Sequence, residues 1–386
     1  MKKLLTTALI LMLLLVASDL FAQLKVTGDA RFRPRLNIDD KTENGGTKTT
    51  DVYYMYRIRL NLNWNIGDGY FMQSRLGHNG LAGYGVFGKG ISADALGGYG
   101  KDYAESARRM SLDIMFLNGG RATETYGYKF GLFGVGSFAN PIFDIHYFAA
   151  VMVNIPFFIF NNDGIFGASA YYKAGPGNIT LSALYDNPLG KSVEDADGNE
   201  ISNTTDQYTF YADYHLKLGG WGVKPMVMMT VADSASAPMT FGADITSPKL
   251  IGDLALGLSA LYSMNSVTQA ESKYSDYGMV SNEYAAYLIR AKISGKVGPG
   301  KLLFWADLGN REDTFDDGTT ASNDFLYTWL AYSFTIYSGD AGQFIITPEW
   351  RHLVKGVDGT NTQAREMIEM NFDFKFWHNL RKREFY

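Results

Sequence analysis

Residues 52–66 read VYYMYRIRLNLNWNI, and this stretch decides the fold. Apolar side chains occupy every second position from Val52 to Ile66, whereas Arg57, Arg59 and Asn61 lie between them. Successive side chains of a β-strand point to opposite faces of the sheet. The stretch therefore predicts a strand with one apolar face and one charged face, long enough to cross a bilayer at a tilt.

The same alternation recurs along the chain, for instance in residues 206–218 and 365–377, and no comparable helical periodicity accompanies it. We count sixteen candidate strands, with a range of 14–18. They are residues 24–37, 52–66, 70–77, 105–117, 126–137, 164–174, 178–187, 206–218, 221–233, 239–246, 252–264, 283–296, 301–312, 324–337, 342–354 and 365–377.

Short and long connections alternate between these strands. Tight turns rich in Gly and Pro, such as 67–69 and 298–300, alternate with long polar links, such as 78–104 and 355–364. Transmembrane barrels have this parity, with short turns on one side and long loops on the other. Backbone groups in lipid must all be paired within the protein, so the sheet must close. The pattern predicts an all-β, transmembrane antiparallel β-barrel without a plug domain.

Composition excludes several classes of protein. The chain has no cysteine, which rules out disulfide scaffolds and thiolate metal sites. Its aromatic content of 15% argues against disorder, and its net charge of −5 gives nucleic-acid binding no support. Residues 1–22 have a basic start, an apolar core and a small residue at Ala22, as an export signal does. We therefore expect a signal peptide at 1–22, a barrel at 23–377 and a basic, aromatic tail at 378–386.

With an export signal, alternating strands, loop parity and an aromatic terminus, the chain resembles the outer-membrane porins of Gram-negative bacteria. Arg31-Phe32-Arg33-Pro34-Arg35 and Arg57-Ile58-Arg59 also look like the start of alginate-export-type barrels. In one departure from porins, Arg381-Lys382-Arg383 interrupt the alternation before the terminal aromatics.

The resemblance implies a non-enzymatic diffusion channel for small hydrophilic solutes in the cell outer membrane. It implies no cofactor, and as partners it implies membrane lipid, the solutes and the barrel-insertion machinery; porins of this size are often homotrimers, but the sequence does not decide between trimer and monomer. Two alternatives stay open: an alginate-export-like channel for anionic polysaccharide or acidic sugars, and a structural or adhesive barrel without conductance.

Strand parity places a set of arginines on the inner face of the barrel. The predicted pore-lining residues are Arg31, Arg33, Arg35, Arg57, Arg59, Arg75 and Arg109, and the predicted acidic counter-charges are Asp29, Asp113, Glu369 and Asp373. One interpretation is an anion-attracting wall, because arginine keeps its charge at any physiological pH. The other is a set of ordinary salt bridges across the lumen.

Two loops carry weaker candidates. Residues 138–163 form a candidate constriction loop that would present Asp144 and His146 to the pore; alternatively, the segment contains a further strand portion or packs over a neighbouring subunit. Asp195, Asp197 and Asn199 are oxygen ligands of the kind calcium prefers, although a solvated acidic loop explains them equally.

Overall fold

The computed structural model describes residues 24–42, 46–78, 84–87, 112–133, 165–185, 193–194, 200–201, 207–232, 239–265, 283–315 and 317–379. The strands in these ranges are β1 Leu24–Lys41, β2 Thr47–Gly67, β3 Tyr70–His78, β4 Gly85–Phe87, β5 Leu112–Ala122, β6 Tyr126–Phe133, β7 Ile165–Ala174, β8 Gly177–Tyr185, β9 Val193–Glu194, β10 Glu200–Ile201, β11 Gln207–Leu218, β12 Trp221–Ala232, β13 Met239–Ile251, β14 Leu254–Asn265, β15 Glu283–Val297, β16 Gly300–Thr314, β17 Thr320–Gly339, β18 Gly342–Val357 and β19 Thr360–Asn379. No helix in these ranges has the length and apolarity needed to cross a membrane.

Sixteen strands close into one antiparallel barrel, as the sequence predicts. Each long strand pairs with the long strands before and after it in the chain, and β1 pairs with both β2 and β19. Of the three short strands, β4 pairs with the loop end of β2, and β9 and β10 pair only with each other. The described ranges contain no plug inside the barrel.

The two faces of the barrel follow the sequence alternation. Large apolar side chains on the outer face remain uncovered, among them Phe32, Phe130 and Leu181, which are 50%, 61% and 58% exposed. Lipid is the environment that satisfies such a surface. On the inner face charged side chains are buried against one another, as Asp29 and Arg57 are.

Two-residue or three-residue turns join the strands at one end of the barrel, which we call the turn end. They are residues 68–69, 123–125, 175–176, 219–220, 252–253, 298–299 and 340–341. We call the opposite end, where the longer connections predicted from the sequence lie, the loop end.

Several predicted boundaries are wrong. The link expected at 355–364 is a two-residue turn, because Asp358 and Gly359 both adopt positive φ (49° and 76°), as a tight hairpin requires. The strand expected at 105–117 is β5, and it runs on to Ala122, so the link predicted at 118–125 shrinks to 123–125. Likewise β13 continues through the link predicted at 247–251, with register shifts beside Lys249. At the C-terminus β19 continues to Asn379; residues 1–22 and the last seven of the predicted tail lie outside the described ranges.

Candidate functional site

Six arginines from three neighbouring strands line one side of the barrel interior. Arg31, Arg33 and Arg35 come from β1, Arg57 and Arg59 from β2, and Arg75 from β3. We call this set the arginine ladder. Because the intervening residues of β1, such as Phe32, point to lipid, alternation alone brings the β1 arginines to the same face.

Like charges face one another directly within the ladder. The strand register sets Arg31 opposite Arg57, a cross-strand pair that is unfavourable without compensation. Asp29 provides part of that compensation, since its carboxylate lies 3.0 Å from Arg57 and 2.9 Å from Arg59. On the other side of β1, Arg31 Nη2 donates a hydrogen bond of 2.9 Å to Asp373 of β19. Barrel closure therefore brings the carboxylate of Asp373 to the ladder.

Glu369 of β19 is the second centre of compensation. Its side chain forms ion pairs with Arg33 at 3.6 Å and with Arg35, and it is fully buried. Arg351 of β18 reaches the same carboxylate at 3.1 Å and binds Glu349 at 2.8 Å. Since the register sets Glu349 opposite Glu369, Arg351 screens one carboxylate from the other.

The ladder contains more positive than negative charge. Among the described ion pairs, its six arginines meet three carboxylates, Asp29, Glu369 and Asp373, while Arg351 and Glu349 balance each other. Amide oxygens accept hydrogen bonds from two of these arginines: Arg33 Nε donates to Asn371 and Arg75 Nε donates to Asn61, each at 2.6 Å. These neutral acceptors satisfy the donors without adding negative charge to the ladder.

A second patch of charge and aromatic rings lies farther round the inner face. Arg290 of β15 binds Asp307 of β16 through bonds of 2.7 and 2.9 Å, and its guanidinium lies 4.2 Å from the ring of Trp305. Trp305 meets Trp329 edge to face at 4.6 Å, and Arg351 lies over Trp329 at 4.7 Å. These pairs fix the side chains of β15 to β18 against one another.

Sequence reasoning missed Tyr84, which lies against the ladder. Arg31 Nη1 donates a hydrogen bond of 3.0 Å to its hydroxyl, and the guanidinium carbons of Arg33 and Arg57 lie 4.4 and 4.8 Å from its ring centre. The only sequence signal is an aromatic residue between Gly83 and Gly85 in a long link, which does not reveal which strand it will contact.

Several predicted site residues fall outside the described part of the chain. These are Arg109, Asp144, His146, Asp195, Asp197 and Asn199, together with the side chain of Asp113, whose backbone pairs with Gly77. Among the residues that the structure describes, no group of three or more His, Cys, Asp or Glu side chains is arranged to hold a metal ion.

Comparison with known proteins places the fold. No protein-family model matches the chain, and no curated protein matches it in sequence. Among solved structures, Salmonella typhi OmpF in complex with daunomycin matches with a TM-score of 0.52 and 11% identity, over 92% of this chain and 99% of that one. OmpT of Vibrio cholerae matches with a TM-score of 0.50 and 12% identity, over 92% and 97%. These neighbours are outer-membrane porins. The chain thus has the closed sixteen-stranded barrel fold of the porins.

Proposed function

We propose that this protein is a passive channel of the outer membrane that admits small hydrophilic solutes and favours anions. The observation that carries the proposal is the excess of positive charge in the ladder, where six arginines meet three carboxylates among the described residues. A barrel of about eight strands is filled by side chains, whereas one of about sixteen leaves room for an aqueous path. Diffusion through such a path requires no chemical step and no cofactor.

The ladder acts on solutes through its field. Charges of one sign on a wall of low dielectric constant raise the local concentration of counter-ions and speed their entry. Arg59 is among the ladder residues best placed to do this, because a fifth of its side chain remains exposed, 21%, although it also binds Asp29. The same exposure is found at Arg31.

The ladder arginines pair with carboxylates. This pairing favours the competing interpretation, in which the arginines only form ordinary salt bridges across the lumen. Two features weigh against it. Among the described residues the ladder arginines outnumber the carboxylates, and neutral amides accept hydrogen bonds from the Nε groups of Arg33 and Arg75. The alginate-export-like channel and the barrel without conductance remain predictions from the sequence, as does the homotrimer.

The test is ion selectivity of a variant with fewer exposed ladder charges. In the double variant Arg59→Ala/Arg75→Ala, Asp29 keeps its partner Arg57, so the barrel retains that ion pair. We expect the chloride-to-potassium permeability ratio in planar bilayers to fall by roughly half or more. The control Arg121→Ala/Lys249→Ala removes two positive charges from the turn end instead. An unchanged reversal potential in the ladder variant would refute the anion preference.

A further inference from the structure

Tyr84 is buried against the arginine ladder although it belongs to a connection between strands. Its side chain is 5% exposed. Three arginines from two strands contact it: Arg33 and Arg57 with their guanidinium planes near the ring, and Arg31 with a hydrogen bond to the hydroxyl. The residue therefore covers the guanidinium groups that a solute would otherwise meet.

The contact is held by a very short element. β4 follows Tyr84 directly, and among the described residues it pairs with β2 through Gly85, Val86 and Phe87, opposite Tyr56, Met55 and Tyr54. Gly85 opposite Tyr56 brings Tyr84 to the level of Arg57. A ladder of three residues makes few backbone hydrogen bonds, and such elements open at a small fraction of the global unfolding free energy. Tyr84 can therefore leave the arginines without loss of the barrel.

The chemistry of the contact resembles that of a bound ligand. A planar aromatic ring lies near two guanidinium groups, and an oxygen at its end accepts a hydrogen bond from a third. The phenol is neutral, however, so Arg31 forms a hydrogen bond with it but no ion pair. A ring that carries a carboxylate would keep the contact with guanidinium and would replace this single hydrogen bond with a bidentate ion pair.

We propose that Tyr84 is an internal ligand of the arginine ladder, and that the solutes which displace it are small aromatic carboxylates. This proposal rests on the proposed function, because it assigns a solute class to the same wall of the channel. Tyr84 sets the specificity by competition: solutes without a planar ring or without an anionic group displace it poorly.

The experiment measures block of single-channel chloride current by benzoate and by cyclohexanecarboxylate, an acid of similar size without an aromatic ring. The full chain is compared with Tyr84→Ala, Tyr84→Phe and the control Tyr211→Ala, which truncates a buried lumen tyrosine on β11. We expect benzoate to block the unaltered channel at lower concentration than cyclohexanecarboxylate. Truncation to alanine should lower the half-blocking concentration of benzoate by about tenfold, as loss of a competing cation–π ligand predicts. Tyr84→Phe should show a smaller decrease, because it loses only the hydrogen bond from Arg31.

Three outcomes overturn the proposal, and they differ in whether the proposed anion-favouring channel is refuted as well. If benzoate blocks Tyr84→Ala and Tyr211→Ala alike, Tyr84 does not compete for the ladder. If cyclohexanecarboxylate matches benzoate in the unaltered channel, the aromatic class is wrong. In both cases a shifted reversal potential in Arg59→Ala/Arg75→Ala would leave the anion-favouring channel intact. If that variant shows no shift either, the proposed function fails together with this inference. Stable current steps from each variant establish that its barrel has folded.

Discussion

At the scale of single residues, Glu369 shows how the barrel tolerates buried charge. It is 2% exposed and meets Arg33, Arg35 and Arg351, which come from two strands other than its own. Desolvation of a carboxylate costs several kcal/mol, about what a set of close cations can offset. Removal of one partner leaves the others buried and uncompensated, so the cluster acts as a unit.

Glu369→Gln should therefore destabilise the barrel by about 3–5 kcal/mol, because three arginines would surround a neutral amide. Denaturant unfolding in detergent micelles measures the change. Glu283→Gln, at an exposed position on the loop end of β15, is the matched control and should change stability by less than about 0.5 kcal/mol. Equal stability of Glu369→Gln and the control would contradict the role assigned to Glu369.

The arginines of the ladder could be predicted from the sequence, but their ion-pair partners could be predicted only in part. Alternation at residues 31–35 and 57–59 indicates a common face, and closure of a barrel indicates that Glu369 and Asp373 lie near it. Which carboxylate binds which arginine depends on register, and register requires the turns and bulges of the folded sheet. Tyr84 depends on a contact between a connection and β2, so no local pattern announces it.

At the scale of strands, the seam between β1 and β19 closes the barrel. Gly28 lies opposite Phe376 on the outer face, and a Cβ atom at Gly28 would collide with the Phe376 ring and with the backbone oxygen of Arg59. The absence of a side chain lets the aromatic ring lie flat over the strand. Such covering of a strand glycine by an aromatic neighbour is a recurrent means of pinning register.

Gly28→Ala should cost about 1–3 kcal/mol of stability, the usual cost of overpacking. Since one of the two collisions is with backbone, the added change Phe376→Leu should restore only part of the loss. Gly257→Ala is the control, because a Cβ there meets neighbouring atoms at 3.5 Å or more. The unfolding free energies of the three variants test this packing. A Gly28→Ala barrel as stable as the control would show that β1 and β19 have room for an added methyl group at this position.

Strand existence was more predictable than strand ends. Polar residues are frequent in the loop-end halves of β18 and β19, up to the Asp358-Gly359 turn. The alternation of apolar and polar residues therefore becomes irregular before these strands end. In β5, Gly119 and Gly120 have no side chains that could show the alternation of apolar and polar residues. A register shift opposite Arg75 and Leu76 also interrupts this alternation. Backbone pairing with neighbours, rather than side-chain pattern, extends these elements.

At the scale of the whole molecule, closure of the sheet into a barrel explains how one chain can have an apolar outer surface and a charged interior. The sixteen long strands have no free edge, and every wall residue faces either lipid or the lumen. The number of strands and their antiparallel order were predictable from the alternation of short and long connections. Each connection marks one passage of the chain across the membrane, even where the ends of the strand are not predicted correctly.

The outer surface predicts how the purified chain behaves. With residues such as Val52 and Ile251 64% and 72% exposed, extraction should require detergent, and far-ultraviolet circular dichroism should show β-structure with little helix. A chain that remains monomeric and soluble without detergent, or one with substantial helix, would contradict the membrane barrel.

Single-channel recording of the unaltered protein across a potassium chloride gradient tests the central claim most directly. The excess of ladder arginines predicts stable current steps whose reversal potential is displaced toward the chloride equilibrium potential. A silent bilayer at protein levels where the barrel is folded, or a reversal potential displaced toward potassium, would contradict it.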